Sequence, residues 1–247
     1  MRRVQLITFQ AGRNFHEAEL PYLMALLGAK EQGERKSLPK NSIEVPNDLP
    51  ESFDAREKWP ECPSVSLIRD QGGCGAGWAF GAVDAISDRL CIHSKGKFTD
   101  ILSVKDVVDC CRSCGRLGDG CSGGFSTEAW RYWKDQGLVT GGLYGGGGCL
   151  PYGFEPCVHY GPQRNCTSER MAQCTRKCQS GFGKSYATDK HYGRQWYLVD
   201  EERQIMAEIM KNGPVSAFFD VYADFPSYKE GMRSSLFLDQ KSLMVYS

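Results

Sequence analysis

Residues 70–80 read DQGGCGAGWAF, and this stretch decides how the rest of the chain is interpreted. A glycine-rich turn runs directly into a helical pattern that extends from Gly77 to His93, with its charges mostly on the side opposite the apolar residues. The N-terminus of a helix is where the macrodipole lowers the pKa of a thiol nucleophile. Gly77 stands at that place without a side chain, so the position carries no nucleophile.

The overall composition excludes several classes of protein. The 247 residues include 30 basic and 30 acidic side chains that are interspersed, so charge predicts no nucleic-acid or membrane-surface partner. The longest apolar run falls far short of the ~20 residues that a membrane-spanning helix needs. We therefore expect a globular protein outside the membrane.

Twelve cysteines against four histidines are the most informative count. The pairs Cys111 and Cys114, and Cys174 and Cys178, have spacings that zinc ligands use. Two four-ligand zinc sites would still leave cysteines over, whereas an even count suits a disulfide framework in an oxidising compartment. Disulfides with no bound metal are the favoured prediction, and a cytosolic protein with reduced thiols is the alternative.

The opening MRRVQLITFQAG does not fit an exported protein. Its start is basic, but the apolar part is too short for a signal peptide and no small-residue cleavage site follows. Because an oxidising compartment requires export, we expect the natural N-terminus to differ from the one shown.

The order of elements indicates an α+β protein. Residues 15–27 carry an amphipathic helical signal, and a proline-containing linker follows before the first cysteine at position 62. Further helices are predicted at residues 104–111, 127–136 and 201–212, and a strand within residues 215–225. Helices come first and strands last, as in α+β proteins with segregated halves.

The segment Cys74-Gly75-Ala76-Gly77-Trp78 matches the C-G-[SA]-C-[WY] signature of papain-like peptidases at every position except the nucleophile. Longer segments resemble the cathepsin B-like members of that family: LPESFDAREKWPECPSV, GAVDAISDRLCIH, DGCSGG, GLVTGGLY, DKHYG and MAEIMKNGPV. The resemblance covers roughly residues 8–230.

This resemblance implies a papain-like two-domain fold with a helical left half and a β-rich right half. Residues 1–48 would form a partial propeptide of the cathepsin B type, which lies across the cleft and blocks it, and residues 49–230 the peptidase domain. Residues 231–247 match nothing expected of the family, so the right half is predicted to be truncated. The strand within residues 215–225 would then have an unpaired edge.

The resemblance also assigns the parts of an active site. Gln71 corresponds to the oxyanion-hole glutamine, and Gly77 to the position of the missing nucleophile. Gly123 and Gly124 correspond to the edge that hydrogen-bonds the substrate backbone, and Trp78 is assigned to substrate binding with them.

The segment from Cys157 to Cys166 resembles the occluding loop, which makes family members carboxydipeptidases by placing two histidines over the cleft. Here His159 is retained and Tyr160 stands at the second position, so capture of a C-terminal carboxylate is expected to be weaker. The disulfides implied by the resemblance are Cys62–Cys91, Cys74–Cys121, Cys110–Cys174, Cys111–Cys114, Cys149–Cys178 and Cys157–Cys166.

Three departures from the family predict an inactive peptidase. Gly77 cannot attack a peptide bond, and no histidine follows His191, which itself belongs to a stretch that resembles a structural one. The G-G-H and N-S-W segments, which carry the family's base and its orienting residue, are absent. We therefore expect no turnover from this polypeptide.

Three functions remain open on these residues. The first is a pseudopeptidase that binds peptides or inhibitors without cutting them. The second is an active lysosomal or secreted thiol endopeptidase and carboxydipeptidase, of which the sequence shown is a fragment or a mis-predicted version. The third is a metal-binding module built on the Cys-x-x-Cys pairs.

Partners and location follow from the resemblance and the cysteine content. We expect peptides or protein substrates and cystatin-type inhibitors as partners, with no nucleic acid, no membrane and no cofactor. A monomer in the lysosome or outside the cell is predicted. Asn165-Cys166-Thr167 fits the N-glycosylation sequon.

Overall fold

The computed structural model describes residues 9–11, 20–30, 39–116, 119–159, 161–170, 172–219, 221, 228–231 and 244–246. Tyr160 and most of the predicted C-terminal tail lie outside these residues, as do residues 15–19 of the predicted first helix. In chain order the helices are α1 (Leu20–Leu26), α2 (Ala55–Lys58), α3 (Gly77–His93), α4 (Val104–Cys110), α5 (Ser126–Gln136) and α6 (Glu202–Asn212). None of the helices among the described residues has both the length and the hydropathy needed to cross a membrane.

Helix α3 has the bounds that the sequence predicts, but both of its sides are covered. It packs against α4, α5 and α6, with Trp78 and Ile86 almost fully buried. Two of its charged residues, Asp88 and Arg89, are each only 7% exposed. Arg89 is covered by α6, where its Nη1 donates to Glu208 Oε1 at 2.9 Å. The helical periodicity therefore identified the apolar face without revealing that the opposite face is covered as well.

The shorter helices begin and end close to their predicted bounds. At the start of α4 the Ser103 hydroxyl accepts a hydrogen bond from the Asp106 N–H at 3.0 Å, which satisfies one of the open donors of a helix N-terminus. Helix α5 ends at Gly137 and α6 at Gly213, with φ values of 69° and 104° that favour glycine. Each boundary lies within one residue of the prediction.

The described strands form three small antiparallel sheets. In the first, β1 (Phe9–Ala11) pairs with β6 (Tyr228–Gly231), and in the second β2 (Gly115–Arg116) pairs with β3 (Asp119–Gly124). The third has three strands, in the spatial order β4 (Leu198–Val199), β7 (Met244–Tyr246) and β5 (Ser216–Phe218). Strand β7 pairs with Ser216–Phe218 along its length on one side. Because β5 is the outer strand of this sheet, its other side has no strand partner among the described residues, so the expected unpaired edge remains there. Asp220 and residues 222–225 of that predicted strand lie outside the described residues.

Six disulfides join all twelve cysteines, and they are the pairs that the resemblance implies. The Cys74–Cys121 bond fastens the turn before α3 to strand β3. Helices lie mostly before residue 137 and the three-stranded sheet comes from residues 198–246. The α+β class predicted from the sequence is therefore confirmed, while the boundaries at residues 48 and 230 stay predictions.

Candidate active site

The candidate site is built around the first residue of α3. Gly77 begins the helix, and the preceding N-cap residue, Ala76, supplies no side-chain acceptor to the helix N-terminus. The turn before it is fixed by the Cys74–Cys121 disulfide and by the Gly75 N–H, which donates to Cys121 O at 2.9 Å. The site is therefore placed by a covalent bond and a backbone hydrogen bond rather than by a mobile loop end.

Gly77 has room for a side chain. A Cβ atom built on it would lie 3.5 Å from Gln71 Oε1, an ordinary van der Waals distance, with no other non-local heavy atom within 4 Å. Its φ is not in the left-handed region, so no backbone conformation here requires glycine. The absence of a side chain at position 77 is therefore not enforced by the fold.

Gln71 faces the empty space at Gly77. Its carbonyl accepts a hydrogen bond from the Tyr152 hydroxyl at 2.8 Å, which fixes the backbone at this residue. Its Oε1 is buried without a hydrogen-bond partner among the described residues, and its Nε2 lies 3.5 Å from Leu26 O. A half-turn of the amide would present N–H instead of oxygen toward Gly77, as stabilisation of an oxyanion there requires.

A pocket of about 470 Å³ opens beside these two residues. The rest of its lining is formed by two apolar side chains, one basic, one acidic and one histidine side chain: Ile68, Phe80, Arg69, Asp70 and His159. Ile68 is 93% exposed, and the Arg69 guanidinium lies 5.1 Å from the centre of the Phe80 ring. The arrangement gives a half-open recess with apolar and charged contacts for an extended ligand.

The predicted substrate-binding edge is occupied by the chain's own N-terminal segment. The Gly124 N–H donates to Gly28 O at 2.9 Å, and Gly124 O accepts from the Lys30 N–H at 2.9 Å, forming a parallel bridge at Ala29. A Cβ on Gly28 would overlap the carbonyl oxygen of Gly75, so only glycine allows this close approach. Residues 20–30, which we call the leader segment, therefore use the same backbone groups that the resemblance assigns to substrate.

Trp78 supports this edge from beneath. Its indole is 1% exposed, and its Nε1 donates to Gly120 O at 3.0 Å. A Cβ on Gly124 would come within 2.6 Å of the indole ring, so the glycine lies directly on the ring. With the leader segment in place, Trp78 does not line the pocket and contributes by holding Gly124 in position.

The segment from Cys157 to Cys166, which we call the occluding loop after its resemblance, contacts both the pocket and the leader segment through His159. The His159 Nε2 lies 2.8 Å from Asp70 Oδ1, and its Nδ1 lies 2.9 Å from the Tyr22 hydroxyl. Burial raises the pKa of Asp70, but the hydrogen bonds from His159 and from the Gly72 N–H outweigh it and hold that pKa below its usual value. The Arg164 guanidinium lies over the Tyr22 ring at 4.7 Å from its centre.

The other described histidines lie elsewhere. His93 ends α3, some 24 Å from Gly77 at 1.5 Å per helical residue. His191 bridges to Leu138 through its backbone and packs edge-on against Phe98, and burial lowers its pKa. Within the described residues, His159 is the one histidine that lines the pocket, and both of its ring nitrogens already have partners.

The sequence interpretation missed three contributors to this site. Asp70 adjoins Gln71 and is the carboxylate that holds His159, and its position in the DQGGCG stretch is the one signal that was available. Tyr22 and Tyr152 reach the site from distant parts of the chain, and nothing in their local sequence indicates this.

Comparison with known proteins covers most of this chain. A family model described as "Papain family cysteine protease" matches residues 49–244. "Cathepsin B-like cysteine proteinase 3" of Caenorhabditis elegans is 47% identical over 192 residues, which are 76% of this chain and 50% of that protein. A "Gut-specific cysteine proteinase" of the same organism is 47% identical over 185 residues, 74% of this chain and 54% of that protein. The "Cathepsin B-like cysteine proteinase" of Schistosoma japonicum is 45% identical over 217 residues, which are 84% of this chain and 63% of that protein.

The chain therefore spans between half and two thirds of the length of these curated relatives. Among solved structures, "proCathepsin B S9 from Trypanosoma congolense" aligns with a TM-score of 0.75 at 31% identity, covering 96% of this chain and 75% of that one. A digestive procathepsin L2 proteinase from Tenebrio molitor larval midgut aligns with a TM-score of 0.67 at 19% identity, which speaks to the fold alone. The papain-like fold predicted from the sequence is confirmed.

Proposed function

The chain belongs to the papain family of cysteine proteases, as a cathepsin B-like member, and on that premise we propose that it is a peptide-binding homologue without peptidase activity. The observation that carries the proposal is the backbone of Gly28 to Lys30, which is hydrogen-bonded to Gly124 beside a helix N-terminus that has no nucleophile. An extended peptide is held where a substrate would be, at a position that cannot attack it.

The loss of activity is argued from the available nucleophiles and bases. All twelve cysteines are joined in disulfides, so no thiol elsewhere replaces the one that Gly77 lacks. Among the described histidines, His159 is the one that lines the pocket with Gly77, and its nitrogens contact Asp70 and Tyr22 rather than being directed at Gly77. Without nucleophile and base the covalent route is closed, and what remains is binding at the oxyanion position and along the edge.

Peptide binding by this cleft requires that the leader segment leave it. The chain supplies no protease of its own under this proposal, so another enzyme has to cut before Leu49. The backbone at residues 46–48 is exposed and belongs to no helix or strand, which suits such a cut. If no cut occurs, the cleft stays covered by residues 20–30.

The ligands of the opened cleft would be peptides, unfolded protein segments and cystatin-type inhibitors. Family members act on peptide and protein substrates, and the edge at Gly124 presents one N–H and one C=O to any extended backbone. With Tyr160 in place of a second histidine, we expect no strong preference for peptide C-termini. A monomer in a lysosomal, secreted or gut compartment fits the six disulfides and the relatives' names.

The test is peptide binding by the folded full chain before and after cleavage at residue 48. The probe is a fluorescent peptide with the leader sequence LPYLMALLGAK, residues 20–30, and hydrolysis of a fluorogenic peptide is followed in the same samples. We expect saturable binding after cleavage and displacement of the retained leader, weak binding before it, and hydrolysis at the buffer rate throughout. Absence of saturable binding at high micromolar probe, or any turnover, would remove the proposal.

A second candidate is an active peptidase whose gene encodes cysteine at position 77. The open space at Gly77 favours it, since a Cβ atom there meets no non-local atom closer than 3.5 Å. Sequencing the transcript through codon 77 and past codon 231 separates the two candidates. A cysteine codon together with a downstream histidine segment restores the peptidase, whereas a glycine codon leaves the binding protein.

A further inference from the structure

We propose that the occluding loop becomes a zinc site when its disulfide is reduced, with Cys157, Cys166 and His159 as the ligands. The site would take a soft divalent cation and is separate from peptide binding at Gly124. Two thiolates and one imidazole, with water at the fourth position, form a donor set that Zn²⁺ commonly uses.

The three donors are already close together. One ligand atom from each of Cys157, His159 and Cys166 lies within 4.8 Å of the others. Zinc binds sulfur at about 2.3 Å and imidazole nitrogen at about 2.0–2.1 Å, so donors around one tetrahedral zinc lie roughly 3.5–3.8 Å apart. The two sulfurs would have to move apart by less than about 2 Å from the usual disulfide bond length, and the histidine needs only a small approach.

The loop is held closed by hydrogen bonds that do not depend on the disulfide. The Val158 N–H donates to Asn165 Oδ1 at 2.7 Å, and Val158 O accepts from the Asn165 N–H at 3.1 Å. Nearer the tip, the Arg164 N–H donates to Gly161 O at 3.1 Å. These bonds connect residues next to both cysteines, so the thiols stay neighbours after the covalent bond is broken.

Asp70 orients the histidine for this role. Its Oδ1 lies 2.8 Å from His159 Nε2, and its Oδ2 accepts from the Cys157 N–H at 3.4 Å. A carboxylate that receives one ring N–H fixes the tautomer, an arrangement common around zinc-binding histidines. The other nitrogen, Nδ1, would bind the metal in exchange for its contact with the Tyr22 hydroxyl. Asp70 lies outside the occluding loop and therefore contacts both Cys157 and His159 from the neighbouring segment.

Reduction is expected to begin at this disulfide. Cys157 is partly exposed, and the bond closes a loop with a sequence separation of only 9. Two other disulfides, Cys110–Cys174 and Cys149–Cys178, also have one partly exposed cysteine. They close longer loops, with sequence separations of 64 and 29. The Cys111–Cys114 bond closes a still shorter loop, with a sequence separation of 3, but both of its residues are buried. A disulfide that closes a short loop stabilises the fold least, so the partly exposed Cys157–Cys166 bond is expected to open first.

The chemistry is a thiol–disulfide exchange followed by metal binding. A dithiol reductant gives two electrons and two protons to the Cys157–Cys166 bond, is itself oxidised to a cyclic disulfide, and leaves two thiols on the loop. Zn²⁺ then replaces the two thiol protons, which pass to solvent, as the S–Zn bonds form. Re-oxidation would expel the metal, so occupancy reports the redox state of the surroundings.

The experiment uses the folded full chain and a limited amount of dithiothreitol. Alkylation followed by mass spectrometry identifies which cysteines have opened, and Co²⁺, a spectroscopic substitute for zinc, is titrated into a parallel unalkylated sample. We expect alkylation at Cys157 and Cys166 first, and one cobalt per chain with a thiolate-to-cobalt charge-transfer band. The oxidised chain should show neither.

Matched variants locate the metal. His159→Ala keeps every disulfide and should weaken cobalt binding by at least tenfold, Asp70→Asn by about tenfold, and Cys166→Ser should abolish the charge-transfer band. The double variant Cys111→Ser/Cys114→Ser removes the other closely spaced pair and should bind as the parent does. First alkylation at other cysteines, a reduced loop without a cobalt band, or a band that survives His159→Ala at full affinity would each overturn the proposal.

Discussion

The Tyr22 hydroxyl lies 2.9 Å from Nδ1 of His159, a contact between residues 137 positions apart that joins the leader segment to the occluding loop. The same ring is held on its other side by Asp70. The leader is therefore fastened at two points, by backbone pairing at Gly124 and by this side-chain contact over the pocket. The backbone pairing at Gly124 is of the kind that an extended substrate would make, whereas the contact between Tyr22 and His159 is specific to the leader segment.

Replacing Tyr22 with phenylalanine should loosen the leader without altering the pocket. One hydrogen bond worth about 1 kcal/mol is lost while the ring and its contact with Arg164 remain, so release after cleavage at residue 48 should be about fivefold faster. The measurement is the dissociation rate of the cleaved leader in chase experiments. Met24→Ala, on the exposed side of the same helix at 64% exposure, serves as the control and should leave the rate unchanged. Equal rates for parent and Tyr22→Phe would show that the contact contributes nothing.

Gly77→Cys should create a reactive thiol but no peptidase. A Cβ atom at this position is accommodated beside Gln71, and the helix N-terminus favours the thiolate, so alkylation near pH 7 should be several-fold faster than for an ordinary exposed thiol. Peptide hydrolysis should stay at the background rate because no described histidine is directed at position 77. Ser180→Cys, in an exposed stretch of loop, supplies the comparison thiol. Turnover by the Gly77→Cys variant would mean that another group acts as the base.

The sequence determined the local parts of this structure better than the assembled ones. The bounds of α3 follow from a glycine-rich turn before Gly77 and uninterrupted periodicity after it, and both signals are local. The burial of Arg89 could not be read in the same way, because the residues that cover it come from α6 and from Gly213-Pro214, more than a hundred positions later. Periodicity identifies an apolar face, but it does not say whether the polar face is also covered.

The site shows the same division. Gln71, Gly77 and Gly124 were identified because they lie in motifs that resemble the family's, and the structure brings them to one pocket and its edge. Tyr22 and Tyr152 carry no motif, and their contacts depend on how separate segments pack. A tyrosine hydroxyl finds a partner in many folds, so its residue type alone predicts neither contact.

Gly124→Ala should destabilise the fold and disturb the binding edge together. An added Cβ would lie within 2.6 Å of the Trp78 indole and would also meet Cys114 O, so backbone or ring must shift. Overpacking of this kind costs about 1–3 kcal/mol, which for a chain of this size corresponds to a melting temperature lower by roughly 2–12 °C. Gly147→Ala is the matched control, since nothing lies within 4 Å of its Cβ and its φ is not positive. The measurement is thermal unfolding followed by circular dichroism, and equal melting temperatures for both variants would contradict the close packing at Trp78.

Arg89→Met should be among the most damaging single changes in the chain. The guanidinium donates to Glu208 Oε1, Pro214 O and Gly213 O at 2.7–3.0 Å, and Glu208 is fully buried. Removing it leaves a buried carboxylate without its ion-pair partner, at a cost of about 3–5 kcal/mol. Lys40→Met, which breaks a pair with Asp200 in which both side chains are exposed, should cost less than about 0.5 kcal/mol. Denaturant unfolding of the two variants measures the difference, and similar midpoints would refute the buried ion pair.

Asp88 should make the protein more stable in acid than at neutral pH. Burial, with the nearby charge of Asp84 adding to it, raises the pKa of Asp88 to about 6, and its Oδ1 has no hydrogen-bond partner among the described residues. Because the folded pKa lies above the unfolded value of about 3.9, the folded chain holds this proton more tightly. This contribution is fully present below about pH 4 and is lost as the pH rises through 6, at a cost of the order of 2–3 kcal/mol.

Asp88→Asn tests this directly, because it keeps the shape of the side chain and removes its titration. The variant should lose the fall in stability between pH 4 and 7 that Asp88 causes, and at pH 7 it should melt at a higher temperature than the parent. Asp100→Asn, at an exposed position before α4, should keep the parent's pH profile. A parental profile in Asp88→Asn would assign the pH dependence to other buried carboxyls, of which Asp84, whose pKa burial also raises, is the first to replace.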